Sequence, residues 1–175
     1  MPPLPRPAPG FTLVEAAIVL CLIAVLAALA WPSFDALLEN RRLDGLASAL
    51  GADLQFARAE AVVRNEAVRF TVLPGGDGGT CWLVHTGPTA HCTCEAGCTG
   101  DAQLLRRASV PSAQRMQVRA PAVSLQFDPQ LGTCTPAGTF ELAAVSGRAV
   151  HQVVNVMGRV RSCSPQARVP GHVAC

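Results

Sequence analysis

The sequence predicts an α+β fold: one long N-terminal helix, its first half able to span a membrane, packed on a small antiparallel β-rich head. Three observations predict it. An uninterrupted apolar run lies near the N-terminus, and apolar residues at helical spacing follow it. From Val68 onward the pattern changes to short alternating segments broken by Gly and Pro. The 175 residues suffice for one domain, and 50% apolar against 15% charged residues exclude a disordered polar chain. A formal charge of +2 excludes a globally basic nucleic-acid binder.

The elements follow in order. Residues 1–10, MPPLPRPAPG, form a proline-rich leader. Residues 11–31 read FTLVEAAIVLCLIAVLAALAW and carry one charge, Glu15. About 20 helical residues cross a hydrocarbon core. A secretory signal peptide has a shorter apolar region followed by a cleavage site, whereas this run continues into helical pattern through Trp31-Pro32-Ser33-Phe34. A simple anchor would place Arg6 on the cytoplasmic side. It would also leave Glu15 unpaired one turn inside the membrane, at a cost of roughly 2.5–3.5 kcal/mol.

Residues 32–66 continue as an amphipathic helix whose stripe is Leu43, Leu46, Leu50, Leu54, Ala57 and Ala61. Gly45 and Gly51 weaken it locally. Residues 67–175 form the head. Its strand candidates are Val68–Val72, Cys81–Val84, Leu104–Val110, Met116–Arg119, Val123–Phe127, Thr139–Val145 and Ala149–Cys163. Pro74–Gly79 is a turn cluster, and Gly87–Asp101 is a Cys-rich loop.

Gly10-Phe11-Thr12-Leu13-Val14-Glu15 ahead of a full-length apolar run resembles the class III signal of type IV pilins and type II secretion pseudopilins. The resemblance implies that a prepilin peptidase cuts after Gly10 and methylates Phe11. It implies that Glu15 pairs with a neighbouring subunit's N-terminal amine during filament assembly, supplying the partner a buried carboxylate needs. It also implies that Pro32 breaks the helix just past the membrane part. The helix register, the Cys81-Trp82-Leu83-Val84 strand and the closing Gly158-Arg159-Val160-Arg161 are similar to the GspH/FimT branch of minor pilins and pseudopilins.

Eight cysteines suggest an oxidising compartment. Cys21 falls in the apolar run. The cluster His91-Cys92-x-Cys94-x3-Cys98 invites a zinc reading, but Cys-x-Cys is tighter than the usual ligand spacing and the periplasm oxidises thiols, so disulfides are favoured over a metal. The expected pairs are Cys134 with Cys163, and Cys81 with a member of the Cys92, Cys94 and Cys98 group, leaving Cys175 as the stray thiol. Spacing alone cannot fix the connectivity.

Residues 11–101 carry five Arg against ten Asp and Glu, and residues 102–175 carry eight Arg against Asp128 and Glu141. A basic half is an electrostatic footprint for polyanions. In an extended segment Arg159 and Arg161 share one side, after a flexible Gly158, where two guanidiniums can grip successive phosphates. In the FimT group a GRxR motif near the C-terminus is implicated in DNA binding. The alternative for both arginines is a solvated strand face. Tyr is absent and aromatics make up 5% of the chain, which argues against base stacking, so any DNA contact is expected to be phosphate-led, sequence-independent and salt-sensitive.

No catalytic constellation is evident. His85, His91, His151 and His172 are scattered, and neither HExxH, G-x-S-x-G nor a phosphate loop occurs. No cofactor is implied. The resemblance therefore implies an inner-membrane-anchored subunit with a periplasmic head, whose partners are other pilin or pseudopilin subunits, the prepilin peptidase and the membrane. Three uses stay open: a type II secretion filament exporting folded proteins, a DNA-binding pilus component, and a structural initiator of pilus assembly. A membrane-tethered periplasmic metal-binding module is the fourth.

Overall fold

The computed structural model describes Gly10, residues 12–165 and residues 169–175. The leader residues 1–9 and Phe11, the expected new N-terminus, lie outside the described residues. The chain forms two compact units, Met1–Leu38 and Glu39–Cys175.

Helix α1, Leu13–Arg64, contributes to both. It opens with Thr12, whose Oγ1 accepts the Glu15 N–H at 3.2 Å, as an N-cap does. In the first unit the apolar side chains Leu13, Ile18, Leu22, Leu26, Leu29 and Phe34 are exposed. Among the described residues no single helix is long and apolar enough to cross a membrane; the segments Leu13–Leu29 and Ser33–Arg64, joined across a bend, meet that requirement together by length and composition. Helical backbone runs through residues 29–33, and the axis bends by 41° between Leu13–Leu29 and Ser33–Arg64, at the position of Pro32. A proline inside a helix removes one hydrogen bond and kinks the axis, which is where this bend falls.

In the second unit the helix seats Leu43, Ala47, Leu50, Leu54, Ala57 and Ala61, all fully buried, with Leu46 at the margin. Among the described residues eleven strands follow: β1 Val68–Pro74, β2 Thr80–Thr86, β3 Cys92–Thr93, β4 Gly97–Cys98, β5 Leu104–Val110, β6 Met116–Arg119, β7 Ser124–Phe127, β8 Cys134–Thr135, β9 Gly138–Ala144, β10 Ala149–Val154 and β11 Val160–Cys163. They form antiparallel sheets in the orders β5-β2-β1-β7-β8 and β11-β10-β9-β6, with β3-β4 as a small hairpin.

Helix and both large sheets share one core, in which Phe70 of β1 meets Phe140 of β9 edge-to-face at 5.3 Å. Strands β9 and β10 bury alternate residues, as one-sided strands must. Strand β2 is buried on both faces. Trp82 and Val84 enter the main core, while Cys81 and Leu83 lie under the Cys-rich loop with Cys92 and Ala102.

Two polar links fix the helix in register. The carboxylate of Asp53 accepts Trp82 Nε1–H at 2.8 Å and Arg106 at 2.9 Å, and Arg106 stacks over Phe56 at 3.8 Å. Buried Gln152 donates Nε2–H to the Ala47 carbonyl at 2.8 Å. A Cβ on Gly51 would stand 3.3 Å from that amide, so the helix glycine makes room for a tertiary hydrogen bond.

The predicted Ala149–Cys163 strand divides into β10 and β11 around a turn at Asn155–Arg159. The Gly87–Asp101 loop acquires a 3-10 turn, Thr89–His91, and the β3-β4 hairpin.

Candidate functional site

The turn between β10 and β11 is built by its own residues. Asn155 Oδ1 accepts the Arg159 N–H at 2.9 Å, Asn155 N–H donates to the Arg159 carbonyl at 3.1 Å, and Gly158 N–H donates to the Asn155 carbonyl at 2.8 Å. Gly158 has φ +70°, and a Cβ there would lie 2.5 Å from the Gly132 carbonyl oxygen. Only glycine satisfies both the left-handed backbone and the close approach.

Gly132 belongs to a tight loop in which Asp128 Oδ1 accepts the Gln130 and Leu131 N–H groups at 2.9 and 2.8 Å. Arg58 of α1 completes the junction by donating Nε–H to the Gly132 carbonyl at 3.0 Å. Helix, loop and hairpin thus meet around Gly158.

Above the junction lies an open groove of about 840 Å³, walled by Gln55, Arg58, Val62, Leu131, Arg159 and Val160 among others. Arg58 and Arg159 are its only charged lining residues among the described residues. Val160 packs against the core, whereas Arg159 and Arg161 are exposed. Neither arginine has a carboxylate partner among the described residues.

The basic half predicted from sequence is not a uniformly basic face. Arg106 pairs with Asp53 at 2.9 Å, Arg148 with Glu39 at 3.2 Å and Arg119 with Glu141 at 3.8 Å. Two of those carboxylates come from the acidic half, so folding cancels part of the asymmetry. Arg168 lies outside the described residues. Sequence reasoning missed Arg58, because it sits in the acidic half with helical periodicity and no motif around it.

The remaining predicted residues are dispersed. Gly10 and Glu15 are exposed at the N-terminal end, in the other unit. The cysteines form Cys81–Cys94, Cys92–Cys98 and Cys163–Cys175. The expected Cys134–Cys163 pair is corrected: Cys134 is a free, buried thiol, and Cys175, expected to be the stray, takes Cys163 instead. The C-terminal tail returns alongside β11, with Ser164 N–H donating to the Val173 carbonyl at 2.8 Å, and sets Cys175 beside Cys163. Burial raises the Cys134 pKa to about 11.

The metal alternative loses its ligands, since Cys92, Cys94 and Cys98 are all consumed in disulfides. His85 does approach Cys92 and Cys98, with ligand atoms within 4.8 Å of one another. Both of its ring nitrogens are engaged, Nε2 by Thr71 Oγ1 at 2.8 Å and Nδ1 by the Thr86 carbonyl at 3.0 Å.

A Ser-His-Asp geometry does arise, unforeseen from spacing. His172 Nδ1 lies 2.7 Å from Ser162 Oγ, and Nε2 lies 3.0 Å from Asp44 Oδ1. The three belong to the tail, β11 and α1, so the cluster clasps the tail to the helix at the end that Cys163–Cys175 staples.

A long N-terminal helix whose second half seats in antiparallel sheets, with an apolar first half left exposed, defines the pilin class. A family model described as "Type II transport protein GspH" matches residues 46–158. The match ends at Gly158, just before Arg159 and Arg161. The type IV minor pilin FimU of Pseudomonas aeruginosa, strain PAO1, is similar in fold. One crystal form is 24% identical with a TM-score of 0.53, covering 73% of this chain and 96% of that one. A second is 23% identical with a TM-score of 0.51, covering 71% and 98%. No curated protein matches the chain. The chain belongs to the GspH family, whose members are built with other pilin subunits into filaments.

Proposed function

We propose that this chain is a minor pilin or pseudopilin of the inner membrane, and that its head contacts DNA phosphates through Arg159 and Arg161, next to Gly158. A prepilin peptidase cuts after Gly10 and methylates Phe11. The apolar residues 11–31 first anchor the subunit in the membrane and then join the filament core, where Glu15 pairs with a neighbouring subunit's amine. An exposed apolar helix of this length supports that reading, because water cannot be its resting environment.

The observation that carries the DNA reading is a pair of exposed arginines, two residues apart, without carboxylate partners among the described residues, in a fold similar to a type IV minor pilin. Phosphate contacts of this kind are tolerant of sequence and sensitive to salt. The test is duplex binding by the full chain in detergent. Arg159→Gln with Arg161→Gln weakens it and flattens its salt dependence. Unchanged affinity in a folded variant would remove the DNA role. The family description favours a second reading, a pseudopilin acting only in protein export. In that case neither arginine affects DNA binding, and deletion of the chain impairs secretion.

A further inference from the structure

We propose that Arg58 is a third phosphate-binding residue, and that one strand of the DNA backbone runs in the groove between the end of α1 and the β10-β11 turn. The proposal rests on the DNA reading above. Arg58 is half-buried, yet no carboxylate pairs with it among the described residues, whereas Arg64, Arg106, Arg119 and Arg148 each have one. Its Nε is committed to the Gly132 carbonyl at the groove wall, and among the described residues its terminal nitrogens have no acceptor, so they are left for another.

The groove offers no counter-charge of its own. Its lining carries two guanidiniums, Arg58 and Arg159, and two amides, Gln55 and Gln130, with no carboxylate. The nearby Asp128 Oδ1 is turned into its own loop, where it accepts two backbone N–H groups. A half-desolvated arginine facing an open concavity whose charged lining residues, Arg58 and Arg159, are both cationic fits an anion supplied from outside. Arg159 lines the groove with Arg58, and exposed Arg161 follows two residues on, so a linear array of charges can engage all three. A phosphodiester strand is such an array, with its sugars free to lie against Val62, Leu131 and Val160.

The experiment measures binding of a fluorescein-labelled duplex to the full chain in detergent, at about 50 and about 200 mM salt. Arg58→Gln should weaken binding severalfold and reduce the log–log salt slope by roughly 0.9, the value of one duplex phosphate contact. Arg58→Lys, which keeps the charge and loses the bond to Gly132, should keep the slope. Gln55→Glu puts a carboxylate at an exposed helix position in the groove and leaves that bond alone, so it tests the idea even if Arg58→Gln fails to fold. It too should weaken binding. If Arg58→Gln and Gln55→Glu bind as wild type while Arg159→Gln with Arg161→Gln does not, the groove path is wrong and the two-arginine reading stands. If the wild type shows no salt-dependent binding, both fall together.

Discussion

Gly158→Ala separates the architectural role of the turn from its charge. The substitution incurs two costs. A non-glycine residue at φ +70° costs about 1–2 kcal/mol, offset in part by the roughly 0.4–1 kcal/mol that alanine gains by restricting the unfolded chain. The new Cβ also meets the Gly132 carbonyl oxygen at 2.5 Å and Arg58 Nε at 3.0 Å, where ordinary contact begins at 3.4 Å. A backbone carbonyl must therefore yield by 0.9 Å, the difference between 3.4 and 2.5 Å, and its hydrogen bond from Arg58 is lost. A bond to a charged donor contributes about 1.5–3 kcal/mol. The total is about 2–4 kcal/mol, or on the order of 10 °C in Tm for a domain of this size. Gly147→Ala is the control, because Gly147 has φ +84° in the β9-β10 turn with nothing within 4 Å of its added Cβ. It pays the backbone cost alone, about 1 kcal/mol. Thermal unfolding of both variants, followed by circular dichroism, gives the comparison. Equal losses of Tm would refute the claim that helix, loop and hairpin are locked at Gly158.

Three further outcomes are expected. Alkylation of the native protein at pH 8 leaves Cys134 untouched, because burial holds its thiol at a pKa of about 11, and denaturant exposes it; modification before unfolding would contradict its burial. Cys163→Ser with Cys175→Ser costs about 2–3 kcal/mol for a crosslink spanning 12 residues and makes the tail a protease target, read by limited proteolysis; a tail still resistant would show that the His172 clasp holds it alone. Burial lowers the pKa of His85 below 6.5, its bond to the Thr86 carbonyl works against that, and Arg69 adds to the lowering. Below pH 6.5 the unfolded chain takes up a proton that the folded ring refuses, so this contribution is intact above that pH and lost as pH falls. A wild-type Tm that declines more steeply in acid than that of His85→Asn would bear this out, and parallel curves would refute it.

The helix was legible because its stripe is local. Leu43, Leu50, Leu54, Ala57 and Ala61 recur at its own period, so a window of the chain reports the buried face. Most strands were legible for the same reason. The β10-β11 turn was not, since Val156 and Met157 look apolar and Gly158 looks like ordinary punctuation. The turn is recognisable only once Gly132 and Arg58 stand against it. Strand β2 misleads in a different way: its continuous burial reflects a loop folded back over it, which no local period encodes.

The sequence by itself determined the exposed apolar helix, the seat of its second half and the alternation that makes two antiparallel sheets, because each follows from the periodicity of neighbouring residues. Tertiary structure alone decided which cysteines meet, which arginines keep a carboxylate and where Arg58 stands. Those outcomes depend on distances between segments far apart in the chain, from the Asp44–His172 contact to the Arg58–Gly132 bond. Charge counted along a chain is not charge displayed on a surface.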